Sequence, residues 1–124
     1  MKLDSLTPIL NVSDVPASLS WFEALGWERG IVWGPDGPGS AEPDFASVEC
    51  GRAEIFLSLG DQGSRPAWMS WFLPSREELD AAHSRAVELG YEITRPPTDE
   101  PWGMREFHLR HPDGHTFRVS AGSG

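Results

Sequence analysis

Three histidines, His108, His111 and His115, fall within eight residues near the end of the chain, and Glu106 stands two positions before the first. Imidazole and carboxylate are the groups that hold divalent ions and move protons near neutral pH, so metal or acid–base chemistry would concentrate here. The spacing does not favour it. His108 falls on a strand, whereas His111 and His115 flank a His-Pro-Asp-Gly turn, so the three need not converge and read as solvated hairpin residues. His83 has Glu78, Asp80 and Glu88 as helical neighbours and reads as a helix-surface residue rather than a base. No Ser/His/Asp or Cys/His arrangement follows from spacing. The run GPDGPG at Gly34 to Gly39 precedes no helix, so it does not cradle a phosphate. Cys50 is the single cysteine; it excludes an internal disulfide and a Cys-rich zinc site, and beside Gly51 it reads as a small packing residue.

The aromatic residues carry a different chemistry. The chain has six Trp and six Phe against one Tyr, so its aromatic surface is unusually apolar. Trp33 ends a strand beside a Gly/Pro-rich loop. In the strand AWMSWFL, Trp68, Ser70 and Phe72 share one face and Met69, Trp71 and Leu73 the other. Trp102, held between Pro101 and Gly103, stands at the mouth of a hairpin, where its ring either faces a cleft or plugs the end of a core. Any one of these rings alone reads as core packing. Trp33, Phe45, Phe56, Trp68 and Trp102 taken together exceed what a small helix–sheet core needs. Their flat faces suit a planar heteroaromatic ligand, and Asp36, Glu42, Asp44, Glu54 and Asp61 nearby could attract a cationic tail.

The elements that position these rings follow from periodicity. Leu6 to Val12 reads as a strand, and Asp14 caps a helix carrying Leu19 and Phe22 that stops at Gly26. Strands are expected at Trp27 to Trp33, Phe45 to Glu49 and Ala53 to Leu59, with DQGSRP (Asp61 to Pro66) as a linker. The order then repeats. Ala67 to Leu73 is a strand, and Ser75 with Glu78 forms a capping box for a helix with Leu79, Ala82, His83, Ala86 and Leu89, ending at Gly90. Tyr91 to Thr94 is a strand, Arg95 to Pro101 a Pro-rich loop, and Gly103 to Arg110 pairs with Thr116 to Val119 across the turn. On Gly103 to Arg110, Met104, Glu106 and His108 share one face and Arg105, Phe107 and Leu109 the other. Each half is βαβββ, and the junctions Leu25-Gly26-Trp27 and Leu89-Gly90-Tyr91 correspond. The expected fold is therefore α+β: one domain over residues 1–124, with repeats at about 5–60 and about 66–120, whose curved sheets leave a concave face for a ligand.

The formal net charge of −9 argues against nucleic acid, which demands basic patches. No apolar run reaches the length of a membrane span, and the start lacks the charged-then-apolar pattern of a signal peptide, so the expected location is the cytoplasm.

Four segments, WFEALGWE, FASVECGRAEIFLSLGDQ, AWMSWFLPSREELDAAH and PWGMREFHLRHPDGHTF, resemble the vicinal-oxygen-chelate superfamily, and within it the bleomycin-resistance proteins. The LG-aromatic and PDG segments are shared across that superfamily; AWMSWF and PWG-x-REF-x-LR are more specific to its antibiotic-binding branch. Enzymes of the superfamily hold a divalent ion with His and Glu on the strands. Matching those positions by motif gives Thr7, Phe56, Trp68 and Arg118, none of which is a dependable ligand, since the rings lack donor atoms and the guanidinium is a fixed cation. The resemblance thus implies no metal, no cofactor and no catalytic residue. It implies an aromatic groove lined by Trp33, Phe45, Phe56, Trp68, Trp102 and Arg118, with Trp68 facing the groove by family position.

The resulting expectation is a non-catalytic homodimer, with a first strand open to exchange between protomers, that sequesters a large, aromatic, cationic antibiotic of bleomycin type. Related folds take mitomycin, thiocoraline-type peptides and enediynes. Two alternatives stand beside it: an enzyme of the same fold with an unusual ligand set, such as His108 with Glu54 or Glu106, and a sensor or carrier of a small metabolite.

Overall fold

The computed structural model describes residues 1–122, which form two compact units, Met1–Arg65 and Pro66 onward. The first contains β1 (Ile9–Asn11), α1 (Val15–Ala24), β2 (Glu28–Gly34), β3 (Gly37–Pro38), β4 (Phe45–Cys50) and β5 (Ala53–Ser58). The second contains β6 (Trp68–Leu73), α2 (Arg76–Glu88), β7 (Glu92–Asp99), β8 (Met104–Arg110) and β9 (Thr116–Gly122). The fold is α+β, with a five-stranded mixed sheet ordered β1-β5-β4-β2-β3 and a four-stranded mixed sheet ordered β6-β9-β8-β7. In each, the strand before the helix runs parallel to the last long strand, and the remaining pairs are antiparallel.

Both helices start and stop where their end residues dictate. The Asp14 carboxylate accepts the Ala17 N–H at 2.9 Å, and the Ser75 hydroxyl accepts the Glu78 N–H at 3.1 Å, each satisfying a donor that the first turn leaves without a helical partner. At the other ends, Gly26 and Gly90 adopt φ of 105° and 75°. That lets the Trp27 N–H reach the Phe22 carbonyl and the Tyr91 N–H reach the Ala86 carbonyl, at 3.2 and 3.0 Å. The Leu-Gly-aromatic junction is thus one capping device used twice.

Beneath α1, Phe22 takes Trp21 and Trp27 edge-on at 5.0 and 5.4 Å, and all three are buried. Beneath α2, Leu79 and Ala86 pack among Phe107, Leu109, Phe117 and Val119, the His83 ring meets Phe107 edge-on at 5.2 Å, and Trp71 stacks on Phe117 at 4.2 Å. His83 is therefore half-buried over the sheet. In β2 the pairing with β4 shifts between Arg29 and Val32. A Cβ at Gly30 would lie 2.4 Å from the Ser47 hydroxyl, which accepts the Ile31 N–H, so this bulge requires glycine.

Several expectations are corrected. The run after Thr94 is strand, not loop: β7 continues to Asp99, with register shifts on both sides of Arg95. Pro96 and Pro97 are tolerated because β7 is an edge strand and the shifts fall where their missing N–H groups leave no rung unpaired. The loop after Trp33 contributes β3, a two-residue strand paired with β2. Cys50 is exposed rather than packed.

His111 and His115 are not solvated: both are buried, with ring centroids 5.4 Å apart. Their Nδ1 atoms accept backbone N–H groups, His111 from Asp113 at 3.0 Å and His115 from Ala67 at 3.1 Å. The imidazoles thereby pair backbone donors at the turn and at the entry to β6.

Burial, with the neighbouring His115, drives the His111 pKa down to about 4, against a partial opposing pull from Asp113. A depressed imidazole stabilises the fold above the unfolded pKa of about 6.5, and that contribution is lost as pH falls towards 4, because the unfolded chain takes up the proton first. Denaturant unfolding between pH 7 and pH 4 should show this loss, at most about 3 kcal/mol, and His111→Asn, which keeps an acceptor near Nδ1, should show that much less.

Candidate functional site

The second unit gathers its polar and aromatic groups on the sheet face opposite α2. Alternation along β6 exposes Trp68 and Phe72 and turns Trp71 towards Phe117. Pairing then aligns a row across all four strands: Arg95 of β7 opposite His108 of β8, His108 opposite Arg118 of β9, and Arg118 opposite Ser70 of β6. The register shift after Ile93 puts Arg95 in that row. Ile93 faces Leu109, and in an unbroken ladder Thr94 would come next, opposite His108; the inserted residue brings Arg95 there instead.

Glu106 lies at the centre and is buried. Arg118 grips it as a fork, Nη2 to Oε1 at 3.1 Å and Nε to Oε2 at 3.3 Å, and His108 Nε2 approaches Oε2 at 2.9 Å. Burial alone would raise the Glu106 pKa, but hydrogen bonds from Arg118 and His108 overcome it and hold the carboxyl below its ordinary value. The bond to Glu106 in turn raises the Arg118 pKa. Arg95 places Nε and Nη2 on Glu100 Oε1 at 2.8 and 2.6 Å. The His108 ring meets Trp68 edge-on at 5.7 Å.

Trp102 occupies the β7–β8 hairpin tip, not the mouth of the β8–β9 hairpin. Glu100 and Gly103 close a β-turn at 3.1 Å, and Gly103 takes φ of 86° before the strand resumes. Trp68, Arg95, Glu100, Trp102, Glu106, His108 and Arg118 line one open cleft of about 410 Å³.

The remaining sequence candidates lie in the first unit. Trp33 sits opposite Phe45 in the β2–β4 ladder, and Phe45 meets Phe56 at 5.1 Å. Phe45 lines a cleft of about 400 Å³ with Asp44, Ser58 and Asp61, whereas Asp36 and Glu42 line a separate one. Glu54 accepts a hydrogen bond from Thr7 at 3.1 Å. The candidate set thus divides into Trp33, Phe45 and Phe56 in one unit and Trp68, Trp102 and Arg118 in the other. The residues not assigned to a binding surface from sequence are Arg95, Glu100, Glu106 and His108. Alternation already placed Glu106 and His108 on one face, and their opposite partner Arg118 was the missing signal; Arg95 needed the bulge.

Among the described residues, no three or more His, Cys, Asp or Glu side chains group to hold a metal ion. Of the suggested pairs, Glu54 is tied to Thr7, and the His108–Glu106 pair carries the Arg118 guanidinium on the same carboxylate, a fixed positive charge where a cation would have to sit.

A sequence profile described as the Glyoxalase/Bleomycin resistance protein/Dioxygenase superfamily matches residues 2–119. The chain belongs to that superfamily. No curated protein matches its sequence. Among solved structures it is similar to TioX from Micromonospora sp. ML1, with 17% identity, a TM-score of 0.79 and coverage of 94% of this chain and 97% of that one. It is similar to a bleomycin-binding protein complexed with bleomycin, at 20% identity and TM-score 0.68, covering 97% and 99% of the two chains. It is also similar to a lactoylglutathione lyase from Agrobacterium tumefaciens, at 15% identity and TM-score 0.75, covering 99% and 97%. The superfamily fold therefore houses both binding proteins and enzymes, and the choice between them rests on side chains.

Thr7, Phe56, Trp68 and Arg118 stand at the positions where the resemblance would put the superfamily's metal ligands, and they do not fit a metal. Purified protein should carry no stoichiometric Zn, Fe, Mn or Ni; elemental analysis finding one tightly held ion per chain would contradict this.

Proposed function

We propose that this chain is a non-catalytic ligand-binding member of the superfamily that sequesters a large aromatic, cationic antibiotic of bleomycin type. The observation that carries the reading is the exposure of Trp68 and Trp102, 60% and 58%, on the cleft of the second unit. Indoles left this open cost solubility without adding to the core, and their faces match a planar ligand. The acid–base groups beside them are engaged with one another, since Arg118 and His108 hold Glu106 and Arg95 holds Glu100. In the first unit, a separate cleft has Asp44 and Asp61 beside Phe45, a combination that by itself suits a cationic aromatic group. The likeness to a bleomycin-binding protein supports this reading. Sequestration then confers resistance by mass action in the cytoplasm, without a metal or cofactor.

The enzymatic alternative draws on the His108–Glu106 contact at 2.9 Å and on the likeness to a lyase. It requires that Glu106 leave Arg118 during turnover, which the fork opposes.

Bleomycin should quench the tryptophan fluorescence saturably. Trp102→Ala should weaken that binding about tenfold or more, through lost stacking and buried area, while the melting temperature barely moves. Unchanged affinity with a large drop in melting temperature would return Trp102 to a packing role, for which a Trp→Ala cavity costs roughly 3–5 kcal/mol.

Exposed Trp33, Trp68, Phe72 and Trp102 also lead us to expect a two-fold homodimer that covers part of this apolar surface. Sedimentation should give twice the chain mass at micromolar concentration; a monomer there would contradict it.

A further inference from the structure

The cleft of the second unit carries two arginines and two glutamates, but the two kinds of charge are not presented alike. The Glu106 side chain is 2% exposed and that of Glu100 is 7% exposed, whereas Arg118 and Arg95 are 40% and 43% exposed. The carboxylates lie beneath and the guanidiniums lie on top. Each arginine spends Nε and Nη2 on its carboxylate, so the Nη1 donors of both remain without a partner among the described residues. A guanidinium fixed from behind by a buried carboxylate keeps its outward N–H groups at a set angle, which suits a planar oxyanion.

Three further facts bear on what this surface would take. His108 stands between the arginines in the cross-strand row with Nε2 on Glu106, and an imidazole, neutral or protonated, does not repel an anion. Trp68 and Trp102 supply apolar faces in the same cleft. Among the described residues that line the cleft, the carboxylates are Glu100 and Glu106, both with buried side chains, so neither stands in the open to repel an acid.

We propose that this cleft recognises an aromatic acid, a planar ring bearing a carboxylate, with the ring against Trp68 and Trp102 and the carboxylate on the outward N–H groups of Arg95 and Arg118. The site extends the sequestration reading by assigning a ligand class to the second unit that net charge and sequence do not suggest: the whole chain is acidic, yet this surface is a donor for anions. It does not depend on bleomycin being the drug. An aromatic acid needs only this cleft.

The test uses two probes that share a ring and differ in charge, 2-naphthoate and 2-naphthylmethylammonium, titrated calorimetrically against the full chain. The wild type should bind naphthoate roughly tenfold or more tightly than the ammonium. Raising salt to about 0.5 M should weaken naphthoate and leave the ammonium nearly unchanged. Arg95→Gln combined with Glu100→Gln should cost naphthoate about tenfold without cost to the ammonium, and Arg118→Gln combined with Glu106→Gln should do the same; neither pair leaves a buried carboxylate unpaired. Equal affinity for the probes, preference for the ammonium, no naphthoate binding at millimolar concentration, or equal losses for both probes in either pair of substitutions would overturn the proposal. The wild-type comparison and either pair of substitutions decide the matter even where the other pair does not fold. Naphthoate binding without bleomycin binding leaves this inference standing and removes the bleomycin reading; bleomycin binding without a naphthoate preference does the reverse.

Discussion

A carboxylate cannot be withdrawn from water by itself, and the organisation of the second unit follows from how Glu106 is withdrawn. Its desolvation is offset by a fork from Arg118 on the neighbouring strand and a contact from His108 on its own strand. Those two partners must lie on the same sheet face and in register, so the ion cluster and the β8–β9 ladder specify one another. A slip of β8 by one residue would turn Glu106 into the apolar layer beneath α2, beside Phe117 and Val119 of β9, where nothing neutralises it. The cluster is thus a register lock as well as a floor for the cleft.

On the proposed reading, the same layer would set this chain apart from an enzyme sharing its fold. A carboxylate that is to take a proton or hold a metal has to keep a lone pair for its substrate. Glu106 has spent its oxygens on a permanent cation and an imidazole, and its pKa is held down rather than raised towards neutrality. What the cleft offers outward is aromatic surface and guanidinium edges. The proposed recognition by stacking and fixed donors would need no group to change state, and a rigid sheet floor would suit it.

Much of this architecture was legible in the residues. Asp14, Ser75, Gly26 and Gly90 mark the ends of both helices because capping is local, and alternation along AWMSWFL sorts Trp68, Ser70 and Phe72 from Trp71 because a strand has a strict two-residue period. The doubled βαβββ order follows from the repetition of those signals. What stayed hidden was non-local. The fate of His111 and His115 depended on backbone donors they would meet, one of them forty-eight residues away, at Ala67. Arg95 reached the cleft through a strand irregularity within a Pro-rich run that reads as loop. That Glu100 and Glu106 lie buried beneath arginines follows only from the ion pairs that bring Arg95 and Arg118 to them. Pairing partners across strands are set by register, and register leaves little trace in a single sequence.

Pro38 and the Pro96-Pro97 pair occupy the outermost strand at one end of each sheet, β3 and β7. An outer strand normally offers a free row of N–H and C=O groups on which another extended chain can add. Proline lacks the donor, and the irregularities around Arg95 bend what row remains. These two margins are therefore poor templates for amyloid-like growth. The chain leaves large aromatic rings in the open, and it blunts these two sheet margins where that stickiness would otherwise propagate into fibres.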